Sequence, residues 1–225
     1  MTGIRDRRRR EVDEQIITLG RAQLAQVGAA ALSVRAIARD LGMASSAMYR
    51  YVASRDELLT RLVVASYNDL ADHVETAVAD AAPSERLPVA LTAFRAWGVD
   101  HPAEFALLYG SPVPGYQAPA GETTAPGTRV IALLLGLLPA STGAVDTAED
   151  GAEMDGALAP ELRAIAAEWA PHLDEAGILA ALNLWTWLIG AVSQEVFGGY
   201  GPDTFAAPSL LFAAQLRAAL SGFEL

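Results

Sequence analysis

Residues 33–59 read SVRAIARDLGMASSAMYRYVASRDELL, and they carry the signals of two short helices followed by a long one. Ser33 can cap the first helix, and Gly42 ends it because glycine adopts the left-handed conformation at little cost. A second short helix follows in ASSAMYRYV, and Ser54 with Glu57 forms a capping box that opens the long segment. Two short helices joined by a glycine-containing turn predict a helix-turn-helix unit.

The rest of the chain also has a helical pattern, and no strand pattern competes with it. Apolar residues recur at helical spacing from Arg8 to Val27, where Gly28 supplies the stop. Beyond Pro83 the predicted helices are 84–100, 102–109, 127–138, 160–169, 174–197 and 203–220. Two segments interrupt them: the Pro/Gly-rich 110–127 is expected to be an ordered loop, and the acidic 141–156 is expected to be mobile.

The charge of the chain is unevenly distributed. The formal net charge is -11, yet residues 1–61 carry 11 Arg against 7 acidic residues, while residues 62–225 carry 5 Arg against 20. Every basic side chain is an arginine. The acidic part favours solubility, whereas a local excess of arginine is the electrostatic footprint of phosphate binding.

Composition also limits the compartment and the chemistry. With no cysteine, the chain has no disulfide framework, zinc-thiolate site or cysteine nucleophile. Acidic residues follow the basic start where a signal peptide would be apolar, so we expect a cytoplasmic protein. The apolar stretch 176–192 reaches the length of a membrane span, but acids flank it and no basic loop orients it. We expect a buried or subunit-interface helix there, with a membrane span as the alternative.

Residues 33–59 resemble the DNA-binding signature of the TetR family of one-component bacterial regulators. Ala36, Gly42, Ala47, Tyr49 and the cap at 54–58 fall in register with it. The resemblance implies an all-α fold, with a three-helix DNA-binding domain over residues 1–53. It also implies a helical ligand-binding and dimerisation domain over residues 54–225, whose last two helices pack against their mates as a four-helix bundle.

A second resemblance lies further along the chain. Residues 101–116 and 184–198 resemble the effector domain of a TetR subgroup named for its Trp-His-Gly motif. Trp185 and Gly190 fit that motif, but Ile189 stands where histidine is expected. This departure predicts a drier helix face and puts any polar role of that histidine in doubt.

The family resemblance and the chemistry of base readout together suggest which residues meet DNA. A recognition helix reads base edges with its N-terminal residues, while surrounding side chains hold the phosphates. The candidates are Arg35, Ser45, Ser46, Tyr49, Tyr51, Ser54 and Arg55. Arginine suits a bidentate contact with guanine, but Arg35 can equally contact only phosphate. Ser45 and Ser46 can instead merely cap the helix.

The arginine run near the start of the chain has two competing interpretations, whereas Met48 has one. The run Arg7–Arg10 can act as a flexible arm that binds the minor groove or phosphates, or it can be a solvated tail. Met48, between the two tyrosines, is predicted to belong to the core.

Aromatic residues in the later part allow a largely apolar pocket between helices. The predicted ligand-binding residues are Phe94, Trp97, Phe105, Tyr109, Tyr116, Trp185 and Ile189. For any single one of the aromatic residues, the helical spacing favours a place in the core over a place in a pocket. Glu195, on one helical face with Leu184, is costly to bury unpaired, so we expect Arg217 as its partner, with a solvated rim position as the alternative.

No catalytic or metal constellation is evident. His73, His101 and His172 are far apart, and His101 before Pro102 resembles a helix-start residue. We expect no enzyme activity, metal or cofactor. The predicted function is ligand-responsive transcriptional regulation, most often repression, by a homodimer that binds double-stranded operator DNA and an unidentified small molecule. The alternatives are a DNA-binding regulator without an inducer and a helical enzyme that carries a DNA-binding head.

Overall fold

The computed structural model describes residues 2–140, 156–221 and 223, and within them the protein is all-helical, as predicted. Its α-helices are α1 (Thr2–Val27), α2 (Val34–Asp40), α3 (Ser45–Met48), α4 (Arg55–Ala79), α5 (Arg86–Asp100), α6 (Pro102–Tyr109), α7 (Ala120–Leu137), α8 (Leu158–Trp169), α9 (Glu175–Val196) and α10 (Pro208–Leu220). Short 3-10 helices occupy Ala29–Ala31 and Pro83–Glu85. The segment that was expected to be mobile lies, apart from Gly156, outside the described residues.

The chain forms two compact units. The first contains residues 1–69 and 100–127, and the second contains residues 70–99 and 128–225. The first unit therefore holds α1 to α3, the start of α4, and α6 with the loop that follows it. The domain boundary predicted between residues 53 and 54 stays a prediction.

The core of the first unit depends on the first two turns of α4. Leu58, Leu59 and Leu62 are fully buried there, and they share one hydrophobic cluster with Ile16 of α1 and Met48 of α3. Burial of each leucine contributes about 1.5–3 kcal/mol. The head, which consists of α1, α2 and α3, therefore shares its hydrophobic core with the start of α4.

Several predicted helix boundaries were wrong. The first helix begins at Thr2 rather than Arg8. α7 begins at Ala120, inside the predicted loop: the Pro119 carbonyl accepts from the Glu122 and Thr123 amides, and the helix continues through Pro126. The last helix begins at Pro208, since Gly201 and Asp203 have positive φ angles that helices do not contain.

A nearly buried ion pair joins helices in the second unit. Arg95 of α5 donates to both carboxylate oxygens of Glu195 of α9 at 2.8 and 2.5 Å, and both side chains are 15% exposed. The Arg95 guanidinium also lies 5.4 Å from the ring centroid of Phe212 in α10, which stacks on Trp187. The expected partner of Glu195, Arg217, is instead exposed. Glu195 was correctly expected to be paired, but with the wrong residue.

We predict that Glu195→Ala lowers the free energy of unfolding by about 3–5 kcal/mol, because it leaves the Arg95 charge buried and unpaired. Urea unfolding followed by circular dichroism measures the loss. Arg217→Ala is the surface control and is expected to change stability by no more than about 0.5 kcal/mol. The double variant Arg95→Met with Glu195→Ala is expected to recover most of the loss. If it is as unstable as the single variant, lost packing rather than the unpaired charge explains the effect.

Candidate nucleic-acid interface and ligand cavity

The turn between α2 and α3 is built as its sequence indicates. The Ser33 hydroxyl caps α2 by accepting from the Ala36 amide at 3.3 Å, and Gly42 adopts φ 64° after the helix ends. α2 buries Val34, Ile37 and Ala38 in the hydrophobic core of the head. Its other face leaves Arg35 exposed in the first turn, so this side chain is accessible to a partner.

The short α3 presents its polar start to solvent. Ser45 and Ser46 are exposed, and Ala44 at the N-cap position makes no side-chain cap. Met48 is fully buried, which confirms its prediction as core. Tyr49 is exposed and Tyr51 is half-buried. The two serines and two tyrosines therefore lie within one short stretch, and their DNA contacts stay predictions.

The start of α4 forms the predicted cap with one difference. The Glu57 amide donates to the Ser54 hydroxyl at 3.0 Å, but the Glu57 carboxylate accepts from the Ala53 amide at 2.7 Å rather than from Ser54. Burial alone would raise the pKa of Glu57, but hydrogen bonds from Ala53 and Arg61 outweigh it and hold the pKa below its usual value. Arg55 donates to the carbonyls of Ala29 and Ala30 at 2.9 and 3.0 Å. Its predicted phosphate contact would therefore have to use its remaining donors.

Arg61 ties these pieces of the head together. Its guanidinium donates to Asp13 of α1 at 3.1 Å, to Glu57 of α4 at 2.6 Å and to the carbonyl of Tyr51. The sequence does not single out Arg61, because its only local signal is the i, i+4 spacing of Glu57 and Arg61.

The arginine run at the start of the chain is helical rather than a flexible arm. Residues 7–10 lie within α1 with exposed side chains. Arg7 approaches Glu11 at 3.8 Å and Arg9 approaches Asp13 at 4.0 Å, which are ordinary i, i+4 pairs. Arg9 also lies 5.9 Å from the centroid of the Tyr51 ring. Arg9 of this helical run therefore lies beside Tyr51, in the segment that follows α3.

The predicted ligand-binding residues are distributed over both units. In the first unit, Phe105 is fully buried and its ring centroid lies 5.1 Å from that of Tyr109. In the second unit, Phe94 and Trp97 are buried, and Trp185 meets Phe94 edge-on at 5.5 Å. Ile189, also in the second unit, is partly buried.

The first unit contains a cavity of about 280 Å³. It is lined by Val63, Tyr67, Leu107, Leu108, Gly110, Ser111, Pro112, Val113, Tyr116, Ala118 and Thr123. Of the predicted ligand-binding residues, only Tyr116 lines it. Tyr67 was missed, because a single tyrosine on a long helix gives no signal that separates a pocket wall from core.

Hydroxyl groups surround this cavity. The Tyr116 hydroxyl lies 3.0 Å from that of Thr60, a buried residue of α4. Burial raises the pKa of Tyr67, and burial with the charge of Tyr67 raises the pKa of Tyr109, whose ring lies edge-on at 6.3 Å.

Three residues belong to both the cavity and the head. Leu107, Val113 and Tyr116 line the cavity and also pack against the hydrophobic cluster that contains Ile16 and Met48. Part of the cavity wall therefore packs on the same hydrophobic cluster to which α3 contributes Met48.

Other features carry less information about function. Within residues 2–140, 156–221 and 223, no three His, Asp or Glu side chains are grouped as metal ligands would be. His101 occupies the N-cap of α6, as its sequence position indicates. α9 is long and apolar enough to cross a membrane, but 33% of its most apolar stretch is buried, and one such helix is weak evidence because core helices meet the same criteria.

The chain matches two family models. The model described as "Bacterial regulatory proteins, tetR family" covers residues 16–62, and the model described as "Tetracyclin repressor-like, C-terminal domain" covers residues 87–219. HTH-type transcriptional regulators from Mycobacterium tuberculosis and Mycobacterium bovis are 44% identical over 215 residues, which is 93% of this chain and 91% of theirs.

Solved structures give the same result for the fold. The regulatory protein SCO4313 superposes with a TM-score of 0.78 at 33% identity, covering 96% of this chain and 98% of that one. The fatty acid degradation regulator FadR from Bacillus halodurans superposes with a TM-score of 0.62 at 17% identity, covering 94% of this chain and 99% of that one. The second likeness concerns the fold alone.

We predict that Arg35→Ala weakens binding to a selected operator by about 1–3 kcal/mol and relaxes specificity at one base position, because arginine can contact a guanine edge. Selection from a random-sequence library supplies the operator, and anisotropy titrations measure affinity. Arg39→Ala is the matched control, one turn further along the exposed face of α2. Equal losses of Arg35→Ala on selected and random DNA would contradict base readout.

Proposed function

The chain belongs to the TetR family of DNA-binding transcriptional regulators, and on that premise we propose that it is a repressor released from its operator by a small, largely apolar molecule. The observation that carries the ligand response is the cavity whose wall residues Leu107, Val113 and Tyr116 also pack in the core of the head. A molecule bound there would touch side chains that pack on the cluster containing Met48 of the recognition helix α3.

The cavity fits a ligand that carries polar groups on an apolar frame, because polar and apolar atoms both line it. Val63, Leu107, Leu108 and Val113 supply apolar walls, while the hydroxyls of Tyr67, Tyr116 and Thr123 supply hydrogen bonds. Its volume of about 280 Å³ lies at the lower end of ligand pockets, which favours a compact molecule. A pocket built from Phe94, Trp97 and Trp185 in the second unit remains a prediction of the sequence.

A second contact path in the first unit supports the response. α6 carries the cavity residue Leu107 and packs along α1. Arg21 of α1 approaches the buried Glu104 of α6 at 3.8 Å and donates to the Ala65 carbonyl of α4 at 3.3 Å. A displacement of α6 by a ligand would therefore act on two helices of the head.

Proteins of this family act as dimers, and the second unit has surfaces that fit this assembly. α9 exposes Leu179, Asn183, Thr186 and Gly190 at helical spacing, and Leu210 of α10 is 70% exposed. We propose that these faces pair in a homodimer as a four-helix bundle. Two heads would then meet half-sites about 34–36 Å apart, or a multiple of that spacing.

Two finer assignments belong to the same proposal. A regulator of this kind acts in the cytoplasm, where its operator lies. The likeness to the Trp-His-Gly subgroup rests on Trp185 and Gly190 and stays a proposal, with Ile189 replacing the histidine.

We predict that an effector binds the free protein more tightly than the operator-bound protein, by the same factor by which it weakens operator binding. The effector is identified by screening apolar compounds for release of labelled operator. Its affinity is then measured by protein fluorescence with and without operator. Equal affinities in both states would show that the compound is not an inducer.

We further predict that Val63→Phe, which fills the cavity, abolishes release by the effector. Val89→Phe is the matched control, because Val89 lines a separate groove on α5 in the second unit. Both variants are first shown to bind operator. If the effector still releases Val63→Phe but not Val89→Phe, the effector site lies elsewhere. If no compound in the screen binds and cavity filling leaves regulation in the cell unchanged, a regulator without an inducer is favoured.

A further inference from the structure

A basic cleft lies between α1 and the segment that follows α3. It has a volume of about 370 Å³ and is lined by Arg8, Arg9, Arg50 and Tyr51. No carboxylate is among these lining residues. The three arginines are exposed, and Tyr51 is half-buried at the base of the charged group.

We infer that this cleft is a preformed binding site for the phosphodiester backbone of duplex DNA, and that Arg8, Arg9 and Arg50 are phosphate-binding residues. The inference rests on the proposed DNA-binding function and adds α1 to the interface. Arginine presents a planar fork of donors that matches phosphate oxygens, and three such groups around one cleft concentrate positive potential.

The two walls of the cleft are held by one side chain. Arg61 donates to Asp13 of α1 and to the carbonyl of Tyr51, so the same guanidinium fixes both walls. Asp13 is therefore engaged by Arg61 at 3.1 Å, whereas its distance to Arg9 is 4.0 Å. Asp13 is thus paired more closely with Arg61 than with the cleft residue Arg9.

The arginines of α1 are also organised before any partner arrives. They belong to a continuous helix, and the Arg9 guanidinium lies over the Tyr51 ring at 5.9 Å. Cation–π contact restricts the Arg9 side chain while leaving its donors exposed. A helical arm of this kind binds phosphates beside α3 rather than reaching as an extended chain into the minor groove.

The chain offers a control with equal charge. Successive residues of a helix are about 100° apart, so Arg8 and Arg9 share one side of α1, while Arg7 and Arg10 share the opposite side. Arg8→Ala with Arg9→Ala removes two charges from the cleft. Arg7→Ala with Arg10→Ala removes two charges from the same turn outside it. Thermal unfolding confirms that both variants remain folded.

The test is the salt dependence of binding to a random-sequence duplex, measured by fluorescence anisotropy over a series of KCl concentrations. Each phosphate contact contributes about 0.9 to the slope of log K against log salt. The Arg8/Arg9 variant is expected to lower the magnitude of the slope by about one to two, and Arg50→Ala by about one. The Arg7/Arg10 variant is expected to change it little. Equal changes of the slope in the two double variants, or an unchanged slope in Arg50→Ala, would overturn the assignment of the cleft as a phosphate-binding site.

Inorganic phosphate has the same chemistry, so a second arm separates it from DNA. The free protein is titrated with inorganic phosphate at constant ionic strength, and binding is measured by isothermal titration calorimetry. A saturable response together with an unchanged DNA slope in the Arg8/Arg9 variant would identify a free-anion site and overturn the assignment. Failure of the wild-type protein to prefer a selected operator over random DNA would instead contradict the proposed function, whatever the slopes show.

Discussion

The burial of the first two turns of α4 is the constraint on which the rest of the head depends. Leu58, Leu59 and Leu62 are fully buried in the same cluster as Ile16 and Met48, so α3 shares its core with a helix that continues to Ala79. α3 contains only four residues and cannot be stable alone, since helices this short lack the bonds to offset nucleation. Its position is therefore set almost entirely by these contacts, and a change in α4 packing is a change in the recognition surface.

Hydrogen bonds and ion pairs then fix the relative positions of α1, α4 and the segment after α3, which packing alone does not determine. Arg61 satisfies Glu57, Asp13 and the Tyr51 carbonyl together, and Arg55 closes the turn at Ala29 and Ala30. The Arg61 bonds join α1, the segment after α3 and the start of α4, and the Arg55 bonds join the start of α4 to the 3-10 helix at Ala29–Ala31. The basic character of residues 1–61 thus has two physical sources: some arginines hold the head together, and others remain exposed for an anionic partner.

Local signals predicted the head well, and contacts between distant residues were not predictable. Ser33, Gly42 and Ser54 act through neighbours three or four residues away, so their roles can be read from the sequence. The partner of Glu195 could not be found in this way, because Arg95 is 100 residues distant and nothing in the local pattern selects it over Arg217. The start of α7 was predicted wrongly, because two prolines near it make the composition of this segment typical of a loop. Tyr67 was missed as a cavity residue since its role depends on the fold of residues 107–123.

The energetic scale of the proposed switch agrees with this architecture. Allosteric coupling between two ligands is typically about 1–3 kcal/mol, whereas fully burying one aliphatic side chain contributes about 1.5–3 kcal/mol. Leu107 and Val113 are only partly buried against the head's core, and they face the cavity as well. A ligand that repacks one or two such residues therefore alters an energy comparable to the whole coupling, without unfolding the head. Because the same residues line the proposed cavity and pack on the cluster, a ligand in the cavity acts directly on the core that contains Met48 of α3.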